Sequence, residues 1–252
     1  MRPRLPLFLL LLIALPAAAQ FSRDPNDYER MLVPVAGSTH GAFGSVWTAS
    51  VSGYTDGSGM NFVVPYCSRG IVCGYDYFLT GGAPKQFNVN AGVNGAFLYV
   101  PKSAVSDVDL VVHVRDDVHP ADSNVDVPVV RQADFHPTIR LLDVPITSGV
   151  RPALRVYGNA PGGVTVTMRA ASGQQIGTIP LQLTGGGYGS NGYDAFLLNP
   201  ATAADPLIAF GYQTSDVMLD ITSDTGAPIW AFVSVTNNDT QHINLIVPFR
   251  KN

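Results

Sequence analysis

The stretch Asp109–Arg115 sets the strongest constraint on the fold: Leu110, Val112 and Val114 fall on one side of an extended chain, and Asp109, His113 and Arg115 on the other. A period of two is what a β-strand with one buried face requires. No segment carries apolar residues at helical spacing over three turns. Runs rich in β-branched and aromatic residues recur instead, at 45–54 (SVWTASVSGY), 108–115 (VDLVVHVR), 163–170 (GVTVTMRA) and 230–236 (WAFVSVT). Between such runs stand TDGSG (55–59), TGGAP (80–84), NAPGG (159–163), TGGGYGSNG (184–192), SDTGAP (223–228) and NND (237–239). Each contains residues that tolerate positive φ or preset a turn. Short strands with regular turn signals predict an all-β sandwich.

The punctuation also repeats. LTGG occurs at 79–82 and 183–186, an Asn-Gly pair follows at 94–95 and 191–192, and then come AFLYVP (96–101) and AFLLNP (195–200). A Val-Pro pair with an apolar residue after it opens each half (Val33-Pro34-Val35; Val144-Pro145-Ile146). Another closes each half (Val127-Pro128-Val129; Val247-Pro248-Phe249). The order predicts one β-module used twice. Beyond the hexapeptides the apolar faces agree only with a one-residue slip, pairing Leu110, Val112 and Val114 with Ile208, Phe210 and Tyr212. Such a slip belongs in a loop, because inside a strand it would turn the core face outward. Proline cannot donate to a sheet ladder, so Pro101 and Pro200 mark strand ends. Phe97 and Phe196 are then core residues.

The first residues are read separately. Arg2 and Arg4 precede an apolar run, Leu5 to Leu15, and Ala17-Ala18-Ala19 supplies small residues for cleavage. This is the pattern of a secretory signal peptide, residues 1–19, cut between Ala19 and Gln20. The run is shorter than the roughly 20 residues that a spanning helix needs. No later run is long enough either, so no membrane span is expected in the mature chain. Residues 20–30 form a linker. Removing the leader takes the formal net charge from −4 to two units lower, and only Lys85, Lys102 and Lys251 are lysines. Without a basic cluster to neutralise phosphates, a nucleic-acid partner is excluded as the main function. Charged residues are 13 % of the chain, about half the share in an ordinary soluble domain. The 25 glycines and 19 prolines gather at turns, which suits a sandwich better than low complexity.

The opening Val-Pro pair, GSVWTASV (44–51) and WAFVSVTNNDTQHINLIVP (230–248) together resemble a loose group of exported bacterial proteins. The resemblance covers most of residues 31–252. It implies two tandem immunoglobulin-like β-sandwich domains outside the cytoplasm, and it carries no catalytic residues to transfer.

Several clusters are candidates for chemistry. Cys67 and Cys73, in YCSRGIVCG, are the only cysteines. In an exported chain an even, closely spaced pair reads as a disulfide. By the chain-entropy model so small a loop is stabilised by roughly 2 kcal/mol. A two-thiolate metal site is the alternative, and no histidine stands close in sequence. Asp116, Asp117, Asp122 and Asp126, in DDVHPADSNVD, have the chemistry of calcium ligands. Their spacing fits no EF-hand loop, so a solvated inter-strand loop is the simpler expectation. His40 lies in a glycine-rich loop, but neither a G-x-S-x-G nor an H-E-x-x-H frame exists. Tyr66, Tyr75 and Tyr77 can form a sugar-stacking platform, or pack with Phe78 as core.

The reading is therefore an all-β chain of two domains, 31–137 and 138–252, joined around Phe135–Thr138 (FHPT). No catalytic, cofactor-binding or metal residues are assigned. The expected function is a non-enzymatic structural, adhesive or protein-interaction module, exported to the periplasm, the cell surface or the extracellular space. A carbohydrate-binding module is the alternative and a secreted hydrolase the third reading. The partner is then a protein or a glycan.

Overall fold

The computed structural model describes residues 25–248, apart from 36, 42–43, 57–60, 68–70, 73–76, 88–94, 120–123, 159–160, 186–195 and 198–213. The leader and its Ala19–Gln20 cleavage point lie outside the described residues. Among those described, every regular element is a β-strand or a one-turn 3-10 segment. No helix is long and apolar enough to cross a membrane.

Eleven strands lie before residue 138: β1 (Tyr28–Val33), β2 (Gly37–His40), β3 (Val46–Thr55), β4 (Asn61–Cys67), β5 (Ile71–Val72), β6 (Tyr77–Leu79), β7 (Lys85–Phe87), β8 (Ala96–Pro101), β9 (Val108–Asp116), β10 (Val125–Pro128) and β11 (Val130–Arg131). Eight follow: β12 (Thr138–Ile146), β13 (Val150–Gly158), β14 (Gly162–Arg169), β15 (Gln175–Gly185), β16 (Phe196–Leu197), β17 (Thr214–Ser223), β18 (Ile229–Asn237) and β19 (Ile243–Ile246). The four runs expected as strands appear within one residue of their expected bounds. Alternating apolar positions decide burial, and the turn residues end each strand.

In the first half one sheet runs β11-β1-β8-β4-β5, with β6 on β4. The second runs β10-β9-β3-β2, with β7 on β3. In the other half a single order runs β12-β17-β14-β15-β16-β13-β18-β19. Strand β15 is long enough to pair with β14 over Gln175–Leu183 and then with β16 at Thr184 and Gly185, which carries the order from one set of strands to the other. Among the described residues, the ladders join strands of the same half. The exception is an isolated bridge between His136 and Ile229.

Strand order repeats between the halves. β1-β8-β4 neighbour one another as β12-β17-β14 do, and β3-β9-β10 as β13-β18-β19 do. The opening Val-Pro landmarks end β1 and sit in β12, and the LTGG landmarks end β6 and β15, so these correspond. The hexapeptides do not. AFLYVP is β8, between β1 and β4, whereas AFLLNP contributes β16, between β13 and β15. The strand in the place of β8 is β17. An apolar strand that stops at a proline is a local solution available to any strand end, so it recurs without marking equivalent positions. Ile208, Phe210, Tyr212 and Pro200 lie outside the described residues, as does the side chain of Phe196. Phe97 is buried, as expected, and β8 ends at Pro101.

Two apolar clusters hold the halves. Met31, Val33, Ala49, Val51, Leu98, Val100, Val112, Val114 and Val127 fill the space between the two sheets of the first half. The alternate residues of β1 and β8 (Tyr28, Leu32, Phe97, Tyr99) belong to the other cluster, which continues through Phe135 into the core of the second half. Val35 and Leu245 touch both clusters.

Candidate functional site at the junction of the halves

Over Ile229–Val233 strand β18 is apolar on both faces, and that is why a second layer must cover it there. Ala231, Val233 and Val235 face the core of their own half. They pair with Val156 and Leu154 on β13 and continue to Ile246 on β19. The opposite face carries Trp230, Phe232, Ser234 and Thr236, in register with Tyr157, Arg155, Ala153 and Arg151. Tyr157, Trp230 and Phe232 form one aromatic group. The Tyr157 and Phe232 rings are near-parallel, 7° apart with centroids at 6.2 Å, and Trp230 lies 5.9 Å and 5.5 Å from them. All three are buried, although they lie outside their own sandwich.

The first half supplies the cover. The Tyr157 hydroxyl donates to the Pro34 carbonyl at 2.6 Å, across 123 residues of chain. Burial pushes the Tyr157 phenol up to about 12, so the group stays a neutral donor. Pro34 leaves β1, and its path is set by Gly95, which has φ +83. A Cβ on Gly95 would lie 2.6 Å from the Val33 oxygen and 2.8 Å from that of Pro34, so the Asn-Gly landmark needs its glycine here.

Beside the aromatic group the two halves leave a cleft of about 140 Å³. Val35, Trp47, Val114, Val125 and Val127 line it from the first half. Arg155, Phe232, Ser234, Thr236, Ile243 and Leu245 line it from the second. The walls are aliphatic and aromatic, and Arg155, Ser234 and Thr236 add polar groups along one side. This is the composition of a site that buries an apolar body and orients it by a few polar contacts.

A buried carboxylate fixes the wall that carries Trp47. Asp116 has no exposed surface. Its Oδ1 accepts from the backbone N–H of Val46 and of Val118, both at 3.0 Å, and its Oδ2 lies 2.7 Å from His119 Nδ1. Burial alone would raise its pKa. The hydrogen bonds from His119, Val118 and Val46 outweigh that and hold it well below the usual carboxylate range. Strand register sets Asp116 directly beside Trp47. The indole lies over Gly41, where a Cβ would stand 2.4 Å from Trp47 Nε1. Asp116 thus departs from the expectation of a solvated loop, whereas Asp117 and Asp126 are exposed as that reading expects. The parity that buries Val112 and Val114 extends to position 116, and that was the available signal.

The other candidates are dispersed. Asp117 accepts from Thr48 at 2.5 Å and from Arg115 at 2.8 Å, and Asp126 pairs with His113 at 2.6 Å on the exposed face. The hydrogen bond from Thr48, helped by Arg115 and opposed by burial, holds Asp117 below the usual range. Asp122 lies outside the described residues. Among the described residues no three His, Cys, Asp or Glu side chains gather as a metal site. His40 ends β2 opposite Val46 and is exposed. β4 and β5 form a hairpin with Cys67 opposite Ile71. Cys73 and Tyr75 lie outside the described residues, as do the side chains of Cys67, Tyr66, Tyr77 and Phe78. Trp47, Arg155, Tyr157 and Phe232 went unnoticed as site residues, because a strand pattern says that a residue is covered but not by what.

No family model, curated protein or solved structure matches the chain. The class that the fold defines is an all-β protein of several antiparallel sheets.

Proposed function

We propose that the chain is an exported, non-enzymatic structural or protein-interaction module of the cell envelope or extracellular space, built from two immunoglobulin-like sandwiches, 31–137 and 138–252. The observation that carries this reading is the repeated strand order. An immunoglobulin-type sandwich sets strands A, B, E and D in one sheet and C, F and G in the other. β1, β8 and β4 suit places B, E and D, with β3, β9 and β10 as C, F and G. β12, β17, β14 and β13, β18, β19 suit the same places. The buried aromatic junction adds to the argument: a pair of sandwiches held by packed rings acts as one unit for display or spacing, not as two beads on a flexible linker. The leader pattern of residues 1–19 supplies export.

The test has two parts. Mass and N-terminal sequence of the protein recovered from the source cell envelope should begin at Gln20. A photo-crosslinking residue at the exposed Leu142, introduced in living cells, should give one discrete protein adduct. A chain that keeps its leader inside the cell, or that yields no discrete adduct from any exposed strand position, overturns the proposal.

A further inference from the structure

The cleft at the junction has a size, a lining and a charge that together specify a ligand class. We propose that it binds a small aromatic monocarboxylate, with the ring between Val35, Trp47, Phe232 and Leu245 and the carboxylate toward Arg155. This goes beyond the envelope-module reading and stands or falls independently of it.

Three observations carry the inference. The volume of about 140 Å³ is close to that of an apolar protein cavity that accepts benzene, roughly 150 Å³. The space therefore suits one six-membered ring with a short arm. Next, the walls converge from two separately paired sets of strands, and Trp47 is held in its wall by two devices already described. Gly41 leaves room for the indole, and buried Asp116 ties down the start of β3. A preformed wall takes a ring without the entropic cost of ordering a side chain. Finally, the polar side is cationic. The face of β13 toward the cleft carries Arg151 and Arg155 in register with Thr236 and Phe232. Arg151 donates to Asn238 Oδ1 at 2.8 Å and to Gln241 Oε1 at 2.9 Å, toward the β18–β19 turn. Among the described lining residues Arg155 is the cation and none is acidic. Its guanidinium has five N–H donors in a planar fork matched to a carboxylate. The hydroxyls of Ser234 and Thr236 add donors on the same face.

The experiment uses the full mature chain with phenylacetate, toluene and acetate as probes. The indole N–H resonances of Trp47 and Trp230 are followed by NMR and assigned with Trp47→Phe. Phenylacetate should shift the Trp47 resonance saturably, with Kd roughly 0.1–1 mM for so few atoms, and acetate should not. Arg155→Gln should weaken phenylacetate about tenfold, the worth of one charge-assisted pair, and leave toluene unchanged. Ser234→Leu, which fills the cleft, should abolish both. Thr236→Leu is the second filling variant should the first misfold. The proposal is overturned if phenylacetate gives no saturable shift. It is equally overturned if both filled variants, folded, still bind, or if Arg155→Gln leaves the preference for phenylacetate over toluene intact.

Discussion

The two halves share a strand order but bury their sheets differently. In the first half the two sheets enclose a core dominated by aliphatic side chains, Val33, Val51, Val100, Val112 and Val127 among them. In the second, β15 links both sets of strands into one order, and the β13–β18 pair is buried on both faces where it carries Tyr157, Trp230 and Phe232. Its inner face is aliphatic like that of the first half. Its outer face carries Tyr157, Trp230 and Phe232 against the first half. The difference teaches where rings are most useful: sandwich interiors are filled well by branched side chains alternating along a strand, whereas a junction between curved surfaces needs large, flat groups. Each aromatic side chain buries about 150–250 Å².

The comparison breaks most directly by separating the halves. Residues 138–252 made alone should unfold cooperatively with β-type circular dichroism, because their strands pair among themselves. Loss of the cover over three rings should lower the melting temperature by roughly 10 °C or more relative to the full chain. An unfolded fragment would mean that the halves share a single core. Phe232→Ala comes next, since it opens a cavity where the ring closes the junction. A loss of about 3–5 kcal/mol is expected, read by denaturant unfolding. A loss under about 1 kcal/mol would show that the outer face is not closed.

Two aspartates sharpen the contrast within the first half. Asp116→Ala leaves the Val46 and Val118 amides without their acceptor and should cost about 3 kcal/mol. Asp126→Ala breaks only an exposed pair with His113 and should cost less than about 0.5 kcal/mol. The sign with pH follows from the lowered pKa of Asp116. Its contribution is complete above the unfolded value near 3.9 and is lost as pH falls toward the folded one, so wild type should lose more stability below about pH 4 than Asp116→Asn does.

Tyr157→Phe removes the donor to Pro34 and should cost about 1–2 kcal/mol. Because the folded phenol is raised to about 12, that part of the stability is present below about pH 10. It is lost as pH rises toward the folded value, and Tyr157→Phe should show a shallower alkaline decline. The smallest effect concerns metal. Melting curves in excess EDTA and in millimolar calcium should coincide, because Asp116, Asp117 and Asp126 are each committed to a protein partner. Calcium at 100 times its Kd would add roughly 2.7 kcal/mol, so a rise of several degrees would overturn this.

Much of the β-structure was legible because alternation and turn chemistry are local. Val112 and Val114 had to point one way, and TGGAP or SDTGAP had to end a strand, whatever the rest of the chain did. The repeat was legible only where a landmark served the same local purpose in both halves. AFL..P misled because strand identity is a matter of partners: β8 pairs with β1, and β16 with β13. The candidate site was half legible. The run at 230–236 was legible as a strand but not as one covered on both sides, and Asp116 was read with its acidic neighbours as a solvated loop although the parity of β9 extends to it.

Which surface met the outer face of β18 was decided by the tertiary structure alone. Tyr157 and Pro34 are 123 residues apart, and no periodicity spans that interval. The cleft beside them is the space left between two independently paired sets of strands. A sequence determines the faces its strands present, because those follow from backbone geometry residue by residue. The shape between two such faces depends on twist, register and approach together, and only the folded chain has all three.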